Sequence, residues 1–144
     1  MITYGPPERV YVESEWYDGP RAGVADIGGT PHRFKSLFDE QADEYLETFM
    51  VWAIDQSELD LEIELWNIFV EWNVLHESGQ ATTESHPGHG GRHARWDEIE
   101  ALLKTSRSSV PPMAKRATAQ LSRIDRDARY AASGPNYMLS WSIL

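Results

Sequence analysis

The segment 56–78 most constrains the fold, because its apolar residues predict a helix with two opposite apolar faces. The first face is made of Leu61, Leu65, Ile68, Trp72 and Leu75. The second is made of Leu59, Ile63, Trp66, Val70 and Val74. The polar stripe between them is made of Asp60, Glu64, Asn67 and Glu71. A helix with two apolar faces must be covered on both, so we expect it to lie between a sheet and a second layer.

Both ends of this helix carry recognisable signals. Asp55 is expected to be the N-cap, and Glu58 follows it at the spacing of a capping box. Gly79 occupies the position after the last turn, where glycine is favoured because it tolerates a left-handed backbone. The strict alternation of residues 59–65 would also suit a strand, but the longer window favours a helix.

The first third of the chain predicts an antiparallel meander. Residues 9–17 are rich in Val, Tyr and Trp, which favours a strand. Gly28-Gly29 separates the strand-like segments 23–27 and 30–35, and this pattern predicts a tight two-residue hairpin. Residues 47–54 carry apolar side chains on both faces, so we expect a strand that is covered on both sides.

The C-terminal half is less regular. The composition of 79–91 predicts an exposed loop, and residues 93–105 predict a second, shorter helix. The expected inner face of that helix consists of Trp96, Ile99, Leu102 and Leu103. Residues 113–129 fit either a helix or a strand, with a slight preference for a strand that pairs with a terminal strand at 137–144. The sequence therefore predicts one α+β domain over 1–144, an antiparallel sheet packed on a long central helix and a shorter second helix.

The charge of the chain restricts its partners. It has 23 acidic and 13 basic residues, a formal net charge of −10, which disfavours binding to nucleic acid. Such a charge would suit a basic protein partner, and the alternative is that it only keeps the chain soluble. It contains no cysteine, so neither disulfides nor thiolate zinc sites are expected. No apolar stretch approaches the ~20 residues of a membrane helix, and the N-terminus lacks the pattern of a signal peptide. We therefore expect a cytoplasmic protein that does not bind membranes.

The first candidate binding site is the turn at the end of the first strand. Trp16, Tyr17, Asp18 and Arg21 place two aromatic rings, a carboxylate and a guanidinium within six positions. Arg21 has the planar donor geometry that binds carboxylate or phosphate, and His32 on the next hairpin is expected to face the same end of the sheet. Loops held by a rigid scaffold often carry binding residues. The alternative interpretation is structural: Asp18 caps its own turn, Arg21 pairs with Asp18 or Asp26, and Trp16 belongs to the core.

The second candidate is a metal site at His86, His89 and His93, whose imidazoles suit a divalent transition metal. Solvent-exposed histidines on a glycine-rich loop are the alternative interpretation. The acidic residues Asp39, Glu40, Asp43, Glu44, Asp60, Glu62 and Glu64 are interpreted as solvated charge, those on the helix serving solubility. No nucleotide-binding, nucleophile-elbow or zinc-protease motif is present. No cofactor is therefore expected, and no reaction is predicted.

The segment 16–25 and the segment 29–34, with an aromatic-Asp-Gly-Pro-Arg-x-Gly turn and a Gly-x-Pro-His-x-Phe hairpin, resemble a family of small bacterial α+β proteins. The resemblance continues through the Trp-rich helix and Ser85-His86-Pro87 and ends near the Tyr137-to-Trp141 strand. It implies one α+β domain, draws attention to the Asp18–Arg21 turn and favours the C-terminal hairpin. The family has no assigned activity, so the resemblance implies no reaction.

The sequence supports three hypotheses about function. The leading one is a non-enzymatic protein-interaction domain, regulatory or immunity-like, with a basic partner. The second is a small-ligand-binding domain or enzyme that uses Asp18, Arg21 and His32 at one end of the sheet. The third is a metal-binding protein that uses the three histidines of the loop and the second helix.

Overall fold

The computed structural model describes residues 1–144 and shows an antiparallel barrel covered on one side by two helices. The elements in chain order are β1 (Glu8–Trp16), β2 (Pro20–Ile27), β3 (Thr30–Asp39), β4 (Glu44–Ala53), α1 (Gln56–Glu77), α2 (Ala94–Ser108), β5 (Lys115–Arg123), β6 (Tyr130–Ala131), β7 (Gly134–Pro135) and β8 (Tyr137–Ile143). Strands β1 to β5 and β8 form the barrel, and β6 and β7 form a separate two-stranded ribbon. The predicted α+β class, with an antiparallel sheet on two helices, is confirmed.

The closure of the sheet is the main feature that the sequence did not predict. β8 pairs with β5 along seven positions, and it also pairs with β1 through Glu8↔Leu139 and Arg9↔Met138. This short seam turns an open sheet into a barrel. Closure satisfies backbone groups that an open edge would leave unpaired and available to another chain.

The interior of the barrel is filled by side chains. Phe34, Phe49 and Trp141 contact one another with ring centroids 5.6–5.8 Å apart. The full interior cluster consists of Val10, Ala25, Phe34, Phe49, Val51, Ala117, Tyr137, Leu139 and Trp141. Because these side chains fill the interior of the barrel, we do not expect it to enclose a ligand.

Helix α1 lies between the barrel and α2, as predicted. Leu59 and Trp66 pack against Val12 and Val24 on the outside of the barrel, whereas Leu65 packs against α2. The helix begins at the expected N-cap, where the side chain of Asp55 accepts a hydrogen bond from the backbone N–H of Glu58 at 2.8 Å. These contacts make α1 the layer that joins the barrel to the second helix.

Three apolar residues of the helices that were expected to be covered are exposed. Val74 and Leu75, in the last turns of α1, are 60% and 45% exposed. Leu102, expected on the inner face of α2, is 58% exposed, while Trp96, Ile99 and Leu103 are buried. The face of α2 that packs against α1 is therefore narrower than the distribution of its apolar residues predicts.

The uncertain segments have defined structures. Of residues 113–129, the structure assigns Lys115–Arg123 to a strand, which confirms the preferred alternative. The segment 79–91 is only partly exposed, because Pro87 is buried and His86 is half-buried against α1 and α2. No helix in the structure is both long enough and apolar enough to cross a membrane.

Candidate functional site

The buried side chain of Arg21 stabilises the turn between β1 and β2 through hydrogen bonds to its backbone. Nε donates to the carbonyl of Tyr17 at 2.7 Å while Nη2 donates to the carbonyl of Asp18 at 3.2 Å. Nη1 donates to Ser36 Oγ at 3.4 Å. Asp18 itself adopts a left-handed backbone with φ of 52°, a conformation that these bonds to the carbonyls support. Arg21 therefore shapes the turn, and its guanidinium nitrogens are engaged within the protein.

Above Arg21 lies an exposed group of three rings, Tyr17, Phe38 and Tyr45, which we call the aromatic cluster. The rings of Tyr17 and Tyr45 are 5.9 Å apart, and those of Phe38 and Tyr45 are 5.0 Å apart. The guanidinium of Arg21 lies 4.8 Å from the centroid of Tyr45. Tyr17 is 68% exposed and Phe38 47%, so the cluster presents a large apolar surface to solvent.

The central ring of this cluster is fixed by a carboxylate. The hydroxyl of Tyr45 donates to Glu15 Oε1 at 2.5 Å. This hydrogen bond, together with partial burial and the negative charge of Glu15, raises the pKa of Tyr45 above its usual value. The hydroxyl of Tyr45 binds Glu15 and its ring contacts Arg21, so contacts within the chain set the orientation of this ring.

Carboxylates surround the aromatic cluster. The strand order brings the β1–β2 turn and the β3–β4 turn to the same end of the barrel, and the ring contacts join them. The acidic residues of these two turns and their flanking strand ends are Glu15, Asp18, Asp39, Glu40, Asp43 and Glu44. No ion pair to any of them is formed within the chain. This end of the barrel therefore combines exposed rings with six carboxylates that form no ion pair, beside the single guanidinium of Arg21.

The residues predicted as a binding site are only partly assembled. Tyr17, Asp18 and Arg21 lie together, but the ring of Trp16 points toward Tyr137, with centroids 5.7 Å apart. His32 pairs with Ala25 and Ala53 near the Gly28-Gly29 hairpin, at the opposite end of the barrel, and its Nδ1 lies 2.7 Å from the carbonyl of Thr30. The structure therefore offers no pocket shared by Asp18, Arg21 and His32.

A buried ion cluster joins the barrel to both helices. Glu62 on α1 is almost fully buried, and its two oxygens accept hydrogen bonds from Arg33 Nη1 at 2.6 Å and Arg107 Nη2 at 2.5 Å. Glu58 also binds Arg33, at 2.7 Å. Burial by itself would raise the pKa of Glu62, but the hydrogen bonds and charges of Arg107 and Arg33 outweigh it and lower that pKa. The interpretation of Glu62 as a solvated residue was therefore wrong.

A cavity of about 330 Å³ lies outside the barrel, between β1 and the two helices. It is lined by Val12, Glu13, Ser14, Glu15, Trp16, Glu62, Leu65, Trp66, Phe69, His86, Trp96, Glu100, Arg107 and Tyr130. Five consecutive residues of β1 contribute, although side chains of a regular strand alternate between faces. The pairing of β1 with β2 is interrupted by register shifts between Val10 and Trp16, and such bulges redirect side chains.

One wall of this cavity contains a second buried carboxylate, Glu13. Its side chain is 5% exposed, and Oε1 accepts hydrogen bonds from Arg129 Nη2 and from the hydroxyl of Tyr137, both at 2.7 Å. The guanidinium of Arg129 lies 4.8 Å from the ring of Trp16 and 4.6 Å from that of Tyr130. Burial, with the nearby charge of Glu13, raises the pKa of Tyr137 well above its usual value, so this hydroxyl stays protonated.

The histidines of the predicted metal site are engaged in separate local contacts. His86 Nδ1 accepts a hydrogen bond from the N–H of Gly88, and His93 Nδ1 accepts one from the N–H of Trp96 as the N-cap of α2. His89 Nε2 lies 3.1 Å from the carbonyl of Thr83. Partial burial, and the neighbouring His89, lower the pKa of His86. No group of three or more His, Cys, Asp or Glu residues in the structure is placed to hold a metal ion.

Comparisons with known proteins returned no match to a family model, to a curated protein or to a solved structure. The resemblance drawn from the turn and hairpin motifs therefore stays a prediction. The function of the chain has to be inferred from its own geometry and charge.

Proposed function

We propose that this chain is a non-enzymatic protein-interaction domain, regulatory or immunity-like, that binds a basic protein through the aromatic cluster. The observation that carries the proposal is a pair of exposed rings, Tyr17 and Phe38, in contact with the half-buried ring of Tyr45, at an end of the barrel whose carboxylates form no ion pair within the chain. Scattered apolar residues are normal on a protein surface, but a contiguous apolar patch with a polar rim is typical of an interaction site.

The order within the aromatic cluster favours tight binding. Aromatic side chains contribute a large share of binding free energy at interfaces, particularly near the centre of the contact. The ring of Tyr45 is already oriented by Glu15 and Arg21, and the backbone of Tyr17 is held by its hydrogen bond from Arg21. Binding would therefore cost this chain little conformational entropy at Tyr45.

The charge around the cluster selects the class of partner. A net charge of −10, with six carboxylates at the two turns, creates a negative potential that attracts a basic surface and repels an acidic one. Lysine and arginine side chains of a partner would reach the carboxylates of the rim, and an arginine would also stack on the exposed rings. We expect the association rate to fall steeply as salt is added.

Substituting two of the rings tests the proposal. The double variant Tyr17→Ser and Phe38→Ser removes most of the exposed aromatic area without touching the barrel core. We expect it to lose at least ~100-fold in affinity for a basic protein that the wild-type chain captures from native lysate, since central aromatic residues each contribute about 2 kcal/mol or more. Quantitative mass spectrometry of captured proteins gives the comparison, and thermal denaturation should show a folded variant.

A matched control uses exposed apolar residues elsewhere. The double variant Val74→Ser and Leu102→Ser removes apolar side chains that are 60% and 58% exposed, on α1 and α2. It should retain the same basic proteins as the wild type. Equal retention by both double variants, or loss only with the helix variant, would place the interaction on another surface and refute the proposal.

A further inference from the structure

We propose that the cavity between β1, α1 and α2 is a binding site for a small organic cation, an amine carried on an apolar body. It lies outside the barrel and is distinct from the aromatic cluster. Its volume of about 330 Å³ falls at the lower end of the range for ligand sites, ~300–1,000 Å³. The size suits one aromatic or aliphatic amine.

The polar groups of the cavity favour positive charge. Four carboxylates and a single guanidinium line it, with no lysine. The guanidinium, Arg107, is bound through Nε and Nη2 to Glu62, whose second cationic partner is Arg33. An anionic ligand would have to compete with Glu62 for Arg107, so the lining offers it no free cation.

The carboxylate of Glu13 is the group expected to accept hydrogen bonds from the ammonium of the ligand. Only 5% of its side chain is exposed, and both of its donors, Arg129 and Tyr137, bind the same oxygen, Oε1. No hydrogen bond from the chain within 3.5 Å reaches the other oxygen, Oε2, and this atom is not among the buried polar atoms that lack a partner, so it stays accessible to a ligand. Glu100 also lines the cavity; its Oε1 accepts from the indole N–H of Trp96 at 2.7 Å, and its second oxygen has no hydrogen-bond partner in the chain. Each of the two carboxylates therefore keeps one oxygen that could accept from an ammonium group.

The apolar part of the lining is aromatic. Trp16, Trp66, Phe69, Trp96 and Tyr130 all contribute, and such rings attract a desolvated cation through their negative faces. The wall already holds one cation in this way, because Arg129 lies against Trp16 and Tyr130 beside Glu13. The cavity has the same combination of aromatic rings and carboxylates in its lining, and it has room for a small ligand.

Three probes of similar shape test the charge preference. We would titrate the chain with 2-phenylethylammonium, 2-phenylethanol and 3-phenylpropionate, using calorimetry and the six tryptophan indole N–H signals in NMR spectra. We expect one site for the ammonium, at least tenfold tighter than the alcohol, which corresponds to about 1.4 kcal/mol. The carboxylate should bind more weakly than the alcohol. The signals of Trp16, Trp66 and Trp96 should move, and those of Trp52 and Trp141 should not.

Variants separate this site from general attraction to an acidic protein. Glu13→Gln and Glu100→Gln should each weaken ammonium binding at least tenfold, whereas Glu71→Gln, on an exposed part of α1 outside the cavity, should leave it unchanged. Glu100 is exposed, so its variant keeps the test decisive if Glu13→Gln fails to fold. Equal binding of the three probes, no saturable binding, tightest binding of the carboxylate, or an equal effect of Glu71→Gln would each overturn the proposal.

Discussion

Glu62→Gln is expected to destabilise the fold by about 3–5 kcal/mol, the usual cost of removing one partner from a buried ion pair. Arg33 is only 3% exposed at its side chain and would lose the charged oxygen that lies 2.6 Å from Nη1. Arg107 would lose its partner as well, although at 29% exposure it has access to water. Urea denaturation followed by tryptophan fluorescence measures the change, which should appear as a lower midpoint.

The same residue should give stability a pH dependence. The pKa of Glu62 is lowered in the folded chain, so the folded state favours the ionised form more than the unfolded state does. The contribution is fully present above the unfolded value, about 4.5, and is lost as pH falls through the lower folded value. Denaturation midpoints between neutral and strongly acid pH should therefore fall more steeply for the wild type than for Glu62→Gln.

Glu64→Gln is the matched control, since it lies on the same helix. Glu64 binds Arg95 at 2.6 Å, but both side chains are about two-fifths exposed, and exposed ion pairs contribute little to stability. A third variant, Glu62→Leu with Arg33→Met, should recover part of the lost stability because it removes both buried charges of this pair, whereas Glu62→Gln leaves Arg33 with Glu58 alone. If Glu62→Gln and Glu64→Gln had the same midpoint as the wild type, the buried cluster would have no energetic role.

Gly23→Ala is expected to lower the free energy of unfolding by about 3 kcal/mol, at the upper end of the range for overpacking. The φ of Gly23 is not in the left-handed region, so the expected destabilisation comes from steric overlap of the added Cβ with its neighbours. A Cβ there would lie 2.2 Å from the carbonyl oxygen of Val12 and 2.9 Å from Cζ of Phe34. The first contact is with backbone, so β1 and β2 would have to separate, and the ring of Phe34 fills the barrel. Thermal and urea denaturation measure the loss.

Gly90→Ala provides the comparison for this variant. A Cβ at Gly90 meets no atom within 4 Å, and the residue has no left-handed φ. Its replacement should leave stability unchanged or slightly raised, because alanine restricts the unfolded chain. A Gly23→Ala protein that unfolded at the same midpoint as Gly90→Ala would show that β1 and β2 leave room for a side chain at Gly23.

The sequence predicted those parts of the fold that depend on local pattern. The two apolar faces of α1, the Asp55 cap and the Gly28-Gly29 hairpin all depend on side chains near one another in the chain, and α1 lies between two layers as expected. Closure of the barrel could not be predicted this way. It depends on β8 meeting β1 from the other end of the chain, through only two paired residues on each strand.

In the candidate sites too, contributions from residues near one another in the sequence were predictable, and contributions from distant segments were not. Glu62 looked like a solvated residue, yet it stands three positions after Leu59 and four before Trp66, on the face that packs against the barrel. That spacing was a usable signal. The partners Arg33 and Arg107 were not foreseeable, because they come from β3 and the end of α2.

Only part of the surface around the aromatic cluster was identified from the sequence. Tyr17, Asp18 and Arg21 were identified because they lie close together in the sequence, whereas Phe38 and Tyr45, on the β3–β4 hairpin, were not. A contact between two turns depends on how successive hairpins stack in the barrel. The role of Arg21 changed for a related reason, since its hydrogen-bond partners include two backbone carbonyls that no residue pattern reveals.

Hydrogen–deuterium exchange of the chain, alone and with a captured basic partner, tests the proposed function most directly. We predict slower exchange in the partner's presence at residues 15–21 and 37–46, which form the two turns and the aromatic cluster. Exchange at 74–81 and 100–110, on the helical side, should not change. Protection confined to the helical side, with the two turns unaffected, would contradict the proposal that the aromatic cluster is the binding surface.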